Sequence, residues 1–143
     1  MRNDKLGKEN RYKVTPKPEN ERNIVMAKII GIDFTVCNPL LLRMEFNQCS
    51  IQSSNFSQMK LGSTTFLKSI VKDCSFIEAD LTSASFRGCD LAGTIFSNTI
   101  LTEADFTEAI NYQIDPTLNK LRKARFTLPE AIRLLEMMNI EIE

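Results

Sequence analysis

The sequence predicts an all-β solenoid, in which the chain winds into stacked coils with four sides, followed by a C-terminal helix. The first observation is a five-residue period, which fits neither the 3.6-residue period of a helix nor the two-residue period of a strand. Every fifth residue from position 41 to position 106 is large and apolar: Leu41, Phe46, Ile51, Phe56, Leu61, Phe66, Val71, Phe76, Leu81, Phe86, Leu91, Phe96, Leu101 and Phe106. The second observation is that the residue two positions earlier is small from Thr64 to Ala104. Self-similarity at a fixed period is typical of repeat architectures.

A twenty-residue period indicates that each coil has four sides. Sorting the central residues by twenty gives a Leu class that continues to Leu121, a Phe class that continues to Phe126, a mixed aliphatic class and a second Phe class. With one pentapeptide per side, residues twenty apart lie directly above one another at the interstrand spacing of about 4.8 Å. Phe rings repeated at about that spacing fall within the range for offset stacking. We therefore expect two Phe ladders and two aliphatic ladders to fill a narrow core.

Three regions follow from where the repeat begins and ends. Residues 1–28 are charged and contain Pro16 and Pro18, so we expect a flexible N-terminal arm. Residues 29–126 form the predicted repeat domain, and residues 127–143 form a C-terminal helix and tail. Phe34 precedes Leu41 by seven residues, so the five-residue frame is broken near Pro39. We expect a partial first coil there, then an irregular loop, then the regular repeat.

The frame is broken a second time after Phe106. The next central positions are Asn111 and Pro116, which predicts an interrupted core and a turn or bulging side at residues 112–117. Leu121 and Phe126 then bring the frame back into register with the earlier ladders.

A capping box predicts the C-terminal helix. Thr127 and Glu130 have the spacing at which each side chain bonds the other's backbone N–H, so the helix is expected over residues 128–138. Its many apolar residues exceed a single stripe. One side should cover the open end of the coil, and the other is a candidate interface. Residues 140–143 alternate Ile and Glu, which favours a short strand.

Composition excludes several functions. The 143 residues include 18 basic and 18 acidic side chains, and no apolar run is long enough for a membrane span. Residues 1–21 lack an apolar signal core, so a cytoplasmic location is expected. Three cysteines (Cys49, Cys74 and Cys89) occupy the small position of the repeat, which favours buried thiols over disulfides or metal ligands. The chain has no histidine and no glycine-rich phosphate loop, so we predict no enzyme activity, no metal and no cofactor.

Acidic residues dominate the second half of the repeat. Residues 73–108 contain seven acidic side chains and one basic side chain, Arg87. An acidic rod could imitate a nucleic-acid duplex and occupy the DNA groove of a protein. Alternatively, the outward positions before the central residues carry Asp and Glu for solubility, and the sequence alone favours this second interpretation. Asp80, Asp90 and Asp105 hold such outward positions.

The local copies Ala79-Asp80-Leu81, Cys89-Asp90-Leu91 and Ala104-Asp105-Phe106 resemble the pentapeptide-repeat family, whose members form a right-handed quadrilateral β-helix. The residues Ile-Asp-Pro, Asn-Lys-Leu-Arg-Lys-Ala-Arg-Phe and Leu-Pro-Glu-Ala follow in an order that is similar to the C-terminal part of Qnr-like proteins. This resemblance implies protection of bacterial DNA gyrase and topoisomerase IV from quinolones, by a dimeric mimic of DNA that binds no nucleic acid or membrane itself. It assigns contact with the topoisomerase to Asp80, Asp90, Asp105 and Glu103, and contact between the two subunits to Leu128, Ile132, Leu135 and Met138.

Two further hypotheses remain open beside topoisomerase protection. The chain could be a general interaction module with an unrelated protein partner, which would bind the outward apolar positions Ile70, Ile95 and Ile100. The less favoured alternative is a small redox protein that uses its cysteines.

Overall fold

The computed structural model describes residues 13–16, 21–37 and 43–143. None of the helices in these ranges has the length and apolarity that a membrane span requires. The chain forms short strands joined by tight turns, then a helical segment at its C-terminal end: β1 (Lys13–Pro16), β2 (Glu21–Val25), β3 (Lys28–Ile30), β4 (Arg43–Asn47), β5 (Ser50–Gln52), β6 (Thr65–Leu67), β7 (Ile70–Lys72), β8 (Ile95–Phe96), β9 (Asp105–Phe106), β10 (Gln113–Ile114), β11 (Arg125–Phe126) and α1 (Arg133–Glu136).

Parallel pairing between successive coils builds a tube with four sides. In the regular part the pairing offset is twenty residues, as in Phe46 opposite Phe66 and Ile51 opposite Val71. Single bridges continue the same offset on every side. We name the sides by their central residues: side A holds Phe46 to Phe126, side B holds Ile51 to Leu91, side C holds Phe56 to Phe96, and side D holds Leu61 to Leu121. The predicted fold, a right-handed quadrilateral β-helix, is confirmed.

The core consists of the predicted ladders. On side A the rings of Phe66 and Phe86 stack with centroids 4.9 Å apart, and on side C those of Phe56 and Phe76 do the same. Rings of neighbouring sides meet edge to face, as Phe76 and Phe86 do at 5.6 Å. Both arrangements are favoured by the quadrupole of the aromatic ring. The Phe residues of the middle coils have almost no exposed surface, so the tube is filled along its length.

Polar residues at the small position tie one coil to the next. The Thr94 hydroxyl accepts the Cys74 N–H at 3.3 Å and donates to the Val71 carbonyl at 2.7 Å. The Asn119 amide joins Thr99 to Phe96 in the same way, at 2.9 and 3.0 Å. Buried hydroxyl and amide groups in proteins are normally hydrogen-bonded. Here each side chain bonds one backbone N–H and one backbone carbonyl of the preceding coil.

The first coil lies before the frame break, as predicted. Ile24 is opposite Phe46 and Ile29 is opposite Ile51, each at an offset of twenty-two residues. Phe34 stacks on Phe56 with ring centroids 4.4 Å apart. The offset is twenty-two at Asp33 and twenty at Glu45. Residues 38–42 between them, with the predicted central residue Leu41, lie outside the described residues.

The range predicted as a flexible arm contains two strands. β2 pairs in parallel with β4 of the next coil, and β1 pairs antiparallel with the other edge of β2. The prediction of a flexible arm did not include this pairing, because the polar residues around Ile24 gave no sign of its register with Phe46. Residues 1–12 and 17–20 of the predicted arm lie outside the described residues.

The prediction of an interrupted core after Phe106 is wrong. Tyr112 and Ile114 are fully buried and fill the places that Asn111 and Pro116 would hold in a strict frame. The pairing offset shortens to eighteen residues there, with Ile114 opposite Phe96. It returns to twenty at Lys120, which is opposite Ile100. The core therefore continues through the slip because the chain changes register by two residues and then changes back.

The predicted capping box is also wrong. The Thr127 hydroxyl accepts the N–H of Glu108 at 3.0 Å, and the Glu130 carboxylate accepts the N–H of Asn111 at 2.9 Å. In the regular coils such an N–H donates to a carbonyl nineteen residues later, as Phe66 does to Ser85 at 2.7 Å. Thr127 and Glu130 are also nineteen residues later, so their side chains replace the backbone of a coil that is not formed.

The helical segment is shorter than the predicted range 128–138. It consists of a 3-10 turn, Glu130–Ile132, and α1, Arg133–Glu136. Leu134 packs against the end of the core, so one side of the segment covers the tube as expected. Residues 140–143 are irregular and exposed, and no strand forms there.

Candidate interaction surfaces

Acidic residues in the outward positions accept short hydrogen bonds from threonines two residues later. Asp80 accepts the N–H and the hydroxyl of Thr82 at 3.0 and 2.6 Å. Asp105 accepts the same two groups of Thr107 at 2.9 and 2.7 Å. Asp115 makes the same contacts with Thr117, and these hydrogen bonds lower the pKa of its carboxyl group. The carboxylates therefore stabilise the turns, which is a role that the repeat itself requires.

Two of the predicted contact residues are already paired with basic side chains. On side B, Asp90 binds Lys72 at 3.1 Å and the Asn111 amide at 3.0 Å. Burial raises the pKa of Asp90, but the hydrogen bonds from Asn111 and Lys72 outweigh that effect, so the pKa lies below its ordinary value. On side A, Asp105 is nearly buried and binds Arg125 at 2.7 Å.

The four predicted contact residues do not form one surface. Asp80 and Glu103 lie on side D, Asp90 lies on side B, and Asp105 lies on side A. Glu103 is exposed at a corner with a φ of 59°. Only Asp80 and Glu103 are brought to the same side, and only they lack a salt bridge within the described part of the chain.

Side D also carries a basic cluster that the sequence interpretation did not single out. Lys120, Arg122 and Lys123 are exposed on the last coil, and no described acidic residue lies within ion-pair distance of them. Leu121 lies between Lys120 and Arg122, and its side chain packs against the core. The run Lys-Leu-Arg-Lys in the sequence is the signal for this cluster.

The outward isoleucines are dispersed as well. Ile70 and Ile95 expose 42% and 50% of their surface, whereas Ile100 is half-buried. They lie on sides B, C and D, so they do not form a common patch.

The C-terminal end exposes the residues that the resemblance assigned to a dimer. Leu128 is 73% exposed, and Ile132, Leu135 and Met138 are 36%, 38% and 42% exposed. Met137 and Ile140 add further apolar surface at the same end. Exposed apolar residues grouped at one end of a protein are a candidate interaction site.

The surroundings of the buried cysteines do not favour thiol chemistry. All four are free, and three are buried. Burial raises the pKa of Cys74 to about 11 and that of Cys89 to about 12, which keeps both as unreactive thiols. The described residues contain no group of side chains suited to a metal ion.

The repeat is also found by comparison with known families. Residues 74–110 match the family model described as pentapeptide repeats, with eight copies. These residues are pentapeptide repeats. Comparison with curated proteins gives no match.

Solved structures show the same fold. HetL is a pentapeptide repeat protein involved in heterocyst differentiation regulation from the cyanobacterium Nostoc. It matches with a TM-score of 0.51 and 24% identity, over 65% of this chain. This chain covers 40% of the length of HetL. A pentapeptide repeat protein from the thylakoid lumen of Arabidopsis thaliana matches with a TM-score of 0.62 and 18% identity, over 82% of this chain and 77% of the other.

A quinolone-resistance protein is also among the similar structures. The plasmid-mediated fluoroquinolone resistance protein QnrB1 matches at 12% identity, over 85% of this chain and 90% of the other, with a TM-score of 0.30. That similarity is too low to support a functional argument. The fold is therefore shared with HetL and the Arabidopsis protein, and their activities are not carried over by the fold.

Proposed function

We propose that this pentapeptide-repeat tube is a non-enzymatic binding protein that associates through its C-terminal end. The observation that carries the proposal is the exposed apolar surface of Leu128, Ile132, Leu135 and Met138. The core is filled by side chains along its length, so binding falls to the outer surface. In this proposal a second copy of the chain covers the apolar end, and a protein partner binds the sides of the tube in the cytoplasm.

Sedimentation velocity of Leu135→Asp tests the proposed dimer. The charge would be buried in the interface, so we expect the variant to be a monomer at concentrations where the parent is a dimer. Ile70→Asp is the matched control, because Ile70 is also an exposed apolar residue but lies on side B, two coils below Ile110. A parent protein that sediments as a monomer, or a dimer that Leu135→Asp leaves intact, would contradict the proposal.

A finer candidate for the partner is a bacterial type II topoisomerase, protected from quinolones by contact with the tube. Two observations favour it: the resemblance of the C-terminal segments to Qnr-like proteins, and the acidic excess of residues 73–108. The salt bridges of Asp90 and Asp105 reduce the charge that these two residues present, so contact would depend on Asp80 and Glu103 of side D.

A supercoiling assay with gyrase and a quinolone tests this candidate. Micromolar protein should restore supercoiling, and Asp80→Lys combined with Glu103→Lys should weaken the protection at least about tenfold, since contact with a DNA-binding groove is governed by charge. The paired variant Asp73→Lys with Glu78→Lys changes the same charge at other corners and serves as the control. If the parent protein does not protect and does not bind the gyrase subunits, the partner is an unrelated protein, and the general interaction module remains.

A further inference from the structure

The last coil has an unpaired backbone edge on side D. One coil earlier, the Leu101 N–H donates to Lys120 at 2.8 Å and the Glu103 N–H donates to Arg122 at 2.8 Å. The equivalent donors of the last coil, the N–H groups of Leu121 and Lys123, have no acceptor in the described part of the chain. The carbonyl of Asn119 likewise receives no hydrogen bond there, although the equivalent carbonyl of Thr99 accepts from Lys120.

Part of the other exposed backbone at this end is covered. Thr127 and Glu130 cap the N–H groups of Glu108 and Asn111, and α1 lies against β10 of side C. Side D therefore has an open edge, and β11 on side A, which within the described residues pairs only with β9, has another. An open edge of this kind is a template for strand addition.

The charges of the edge on side D are complementary to those of the exposed segment 140–143. Along the edge, Lys120 and Arg122 point outward and Leu121 points inward. Along the segment Glu141, Ile142 and Glu143, the same alternation places an apolar residue between two acidic ones. If Ile142 lies beside Leu121, both carboxylates face the basic side chains, in either strand direction, because side chains alternate along a strand.

We propose that residues 140–143 of one copy add as a strand to the 119–123 edge of a second copy. This inference rests on the proposed dimer and names the contact that fixes its geometry. In the single chain, residues 139–143 are exposed, and the Ile140 N–H donates to Leu135 at 3.2 Å. Within residues 43–143, no hydrogen bond joins this segment to the edge. A second copy would also cover Ile132, Leu135 and Met138, which strand addition within one chain would leave exposed.

A charge-swap experiment tests the strand addition. Glu141→Lys with Glu143→Lys places basic segments against basic edges, and Lys120→Glu with Arg122→Glu places acidic segments against acidic edges. In the proposed dimer, each of the two edges carries two ion pairs between a glutamate and a basic side chain. Each double variant alone should therefore dimerise at least about tenfold more weakly. An equimolar mixture of the two variants restores opposite charges at both edges, and its heterodimer should be within about threefold of the parent in affinity. Lys60→Glu with Lys68→Glu is the control, because both residues are exposed and distant from the end.

Amide hydrogen exchange of the parent provides a second measurement. The N–H groups of Leu121 and Lys123 should exchange more slowly as the protein concentration rises through the dimer midpoint. A mixture as weak as either variant alone, or protection that does not depend on concentration, would overturn the strand addition. A dimer that Leu135→Asp disrupts but the charge variants do not would leave the proposed function standing and overturn only this contact. A parent that remains a monomer would overturn both.

Discussion

Residues 43–110 and residues 111–143 differ in what supplies the hydrogen-bond partners of each coil. In the first region the N–H groups of the central residues from Phe56 to Leu91 donate to backbone carbonyls nineteen residues later, in the next coil. In the second region the offset slips to eighteen residues and back, and side chains of Thr127 and Glu130 take over from the missing backbone. The middle of the solenoid is stabilised by backbone hydrogen bonds between successive coils. Its C-terminal end depends on side chains that take the place of the missing backbone acceptors.

Phe86→Ala should have the largest effect, because Phe86 is fully buried and its ring stacks between Phe66 and Phe106. We expect the free energy of unfolding to fall by about 3–5 kcal/mol, measured by urea denaturation. Phe126 is half-buried, stacks on Phe106 on one side and meets Tyr112 at a tilt, so Phe126→Ala should cost about half as much. Equal losses at both positions would show that the end is packed as tightly as the middle.

Glu130→Ala should lower the free energy of unfolding by about 1.5–3 kcal/mol, because the Asn111 N–H loses a charged acceptor. Glu130→Gln keeps an oxygen at that place and should recover part of the loss. Glu136→Ala is the control, since Glu136 is exposed on α1 and its side chain makes no hydrogen bond or ion pair in the described part of the chain. If Glu130→Ala and Glu136→Ala destabilise equally, Glu130 does not act as a substitute for the next coil.

Tyr112→Phe should have the smallest effect and the opposite sign. The Tyr112 hydroxyl is buried at the register slip without a hydrogen-bond partner among the described residues, so its removal should stabilise the fold by up to about 1 kcal/mol. Burial and the nearby Glu130 charge raise the pKa of Tyr112 from 10.0 to about 12. The folded state therefore holds the phenol proton more tightly than the unfolded state, and the stability that this proton contributes is lost as the pH rises from 10 toward 12.

Urea denaturation at pH 9 and pH 11 measures that loss. The parent should lose more stability between the two values than Tyr112→Phe does. If both proteins lose the same stability between these pH values, the pKa of Tyr112 is the same in the folded and unfolded states.

The ladders could be predicted because the narrow core requires an apolar residue at every fifth position of the regular coils. Tyr112 and Ile114 were missed because the prediction kept a fixed frame across residues 111–117, although their alternation with polar neighbours was a signal for a strand. Thr127 and Glu130 fit a local helix motif as well as they fit the end of a tube. Their spacing of nineteen from Glu108 and Asn111 would have distinguished the two.

The candidate surfaces were less predictable than the core. The outward direction of Asp90 follows from the repeat, but its neutralisation by Lys72 depends on packing between coils. The open edge beside Lys120 and Arg122 could not be derived from the sequence, because it depends on where the chain leaves the tube.

The polar residues at the small position have a consequence for how the length of such a tube can change. Thr94 serves the turn that ends at Cys74, and Asn119 serves the turn that ends at Thr99. In these two places a coil carries the side chain that completes a turn of the coil before it. Loss or gain of a whole coil keeps the offset at twenty, whereas the two-residue slip at Ile114 has to be reversed by Lys120. Changes of twenty residues are therefore the ones that preserve both the ladders and these turns.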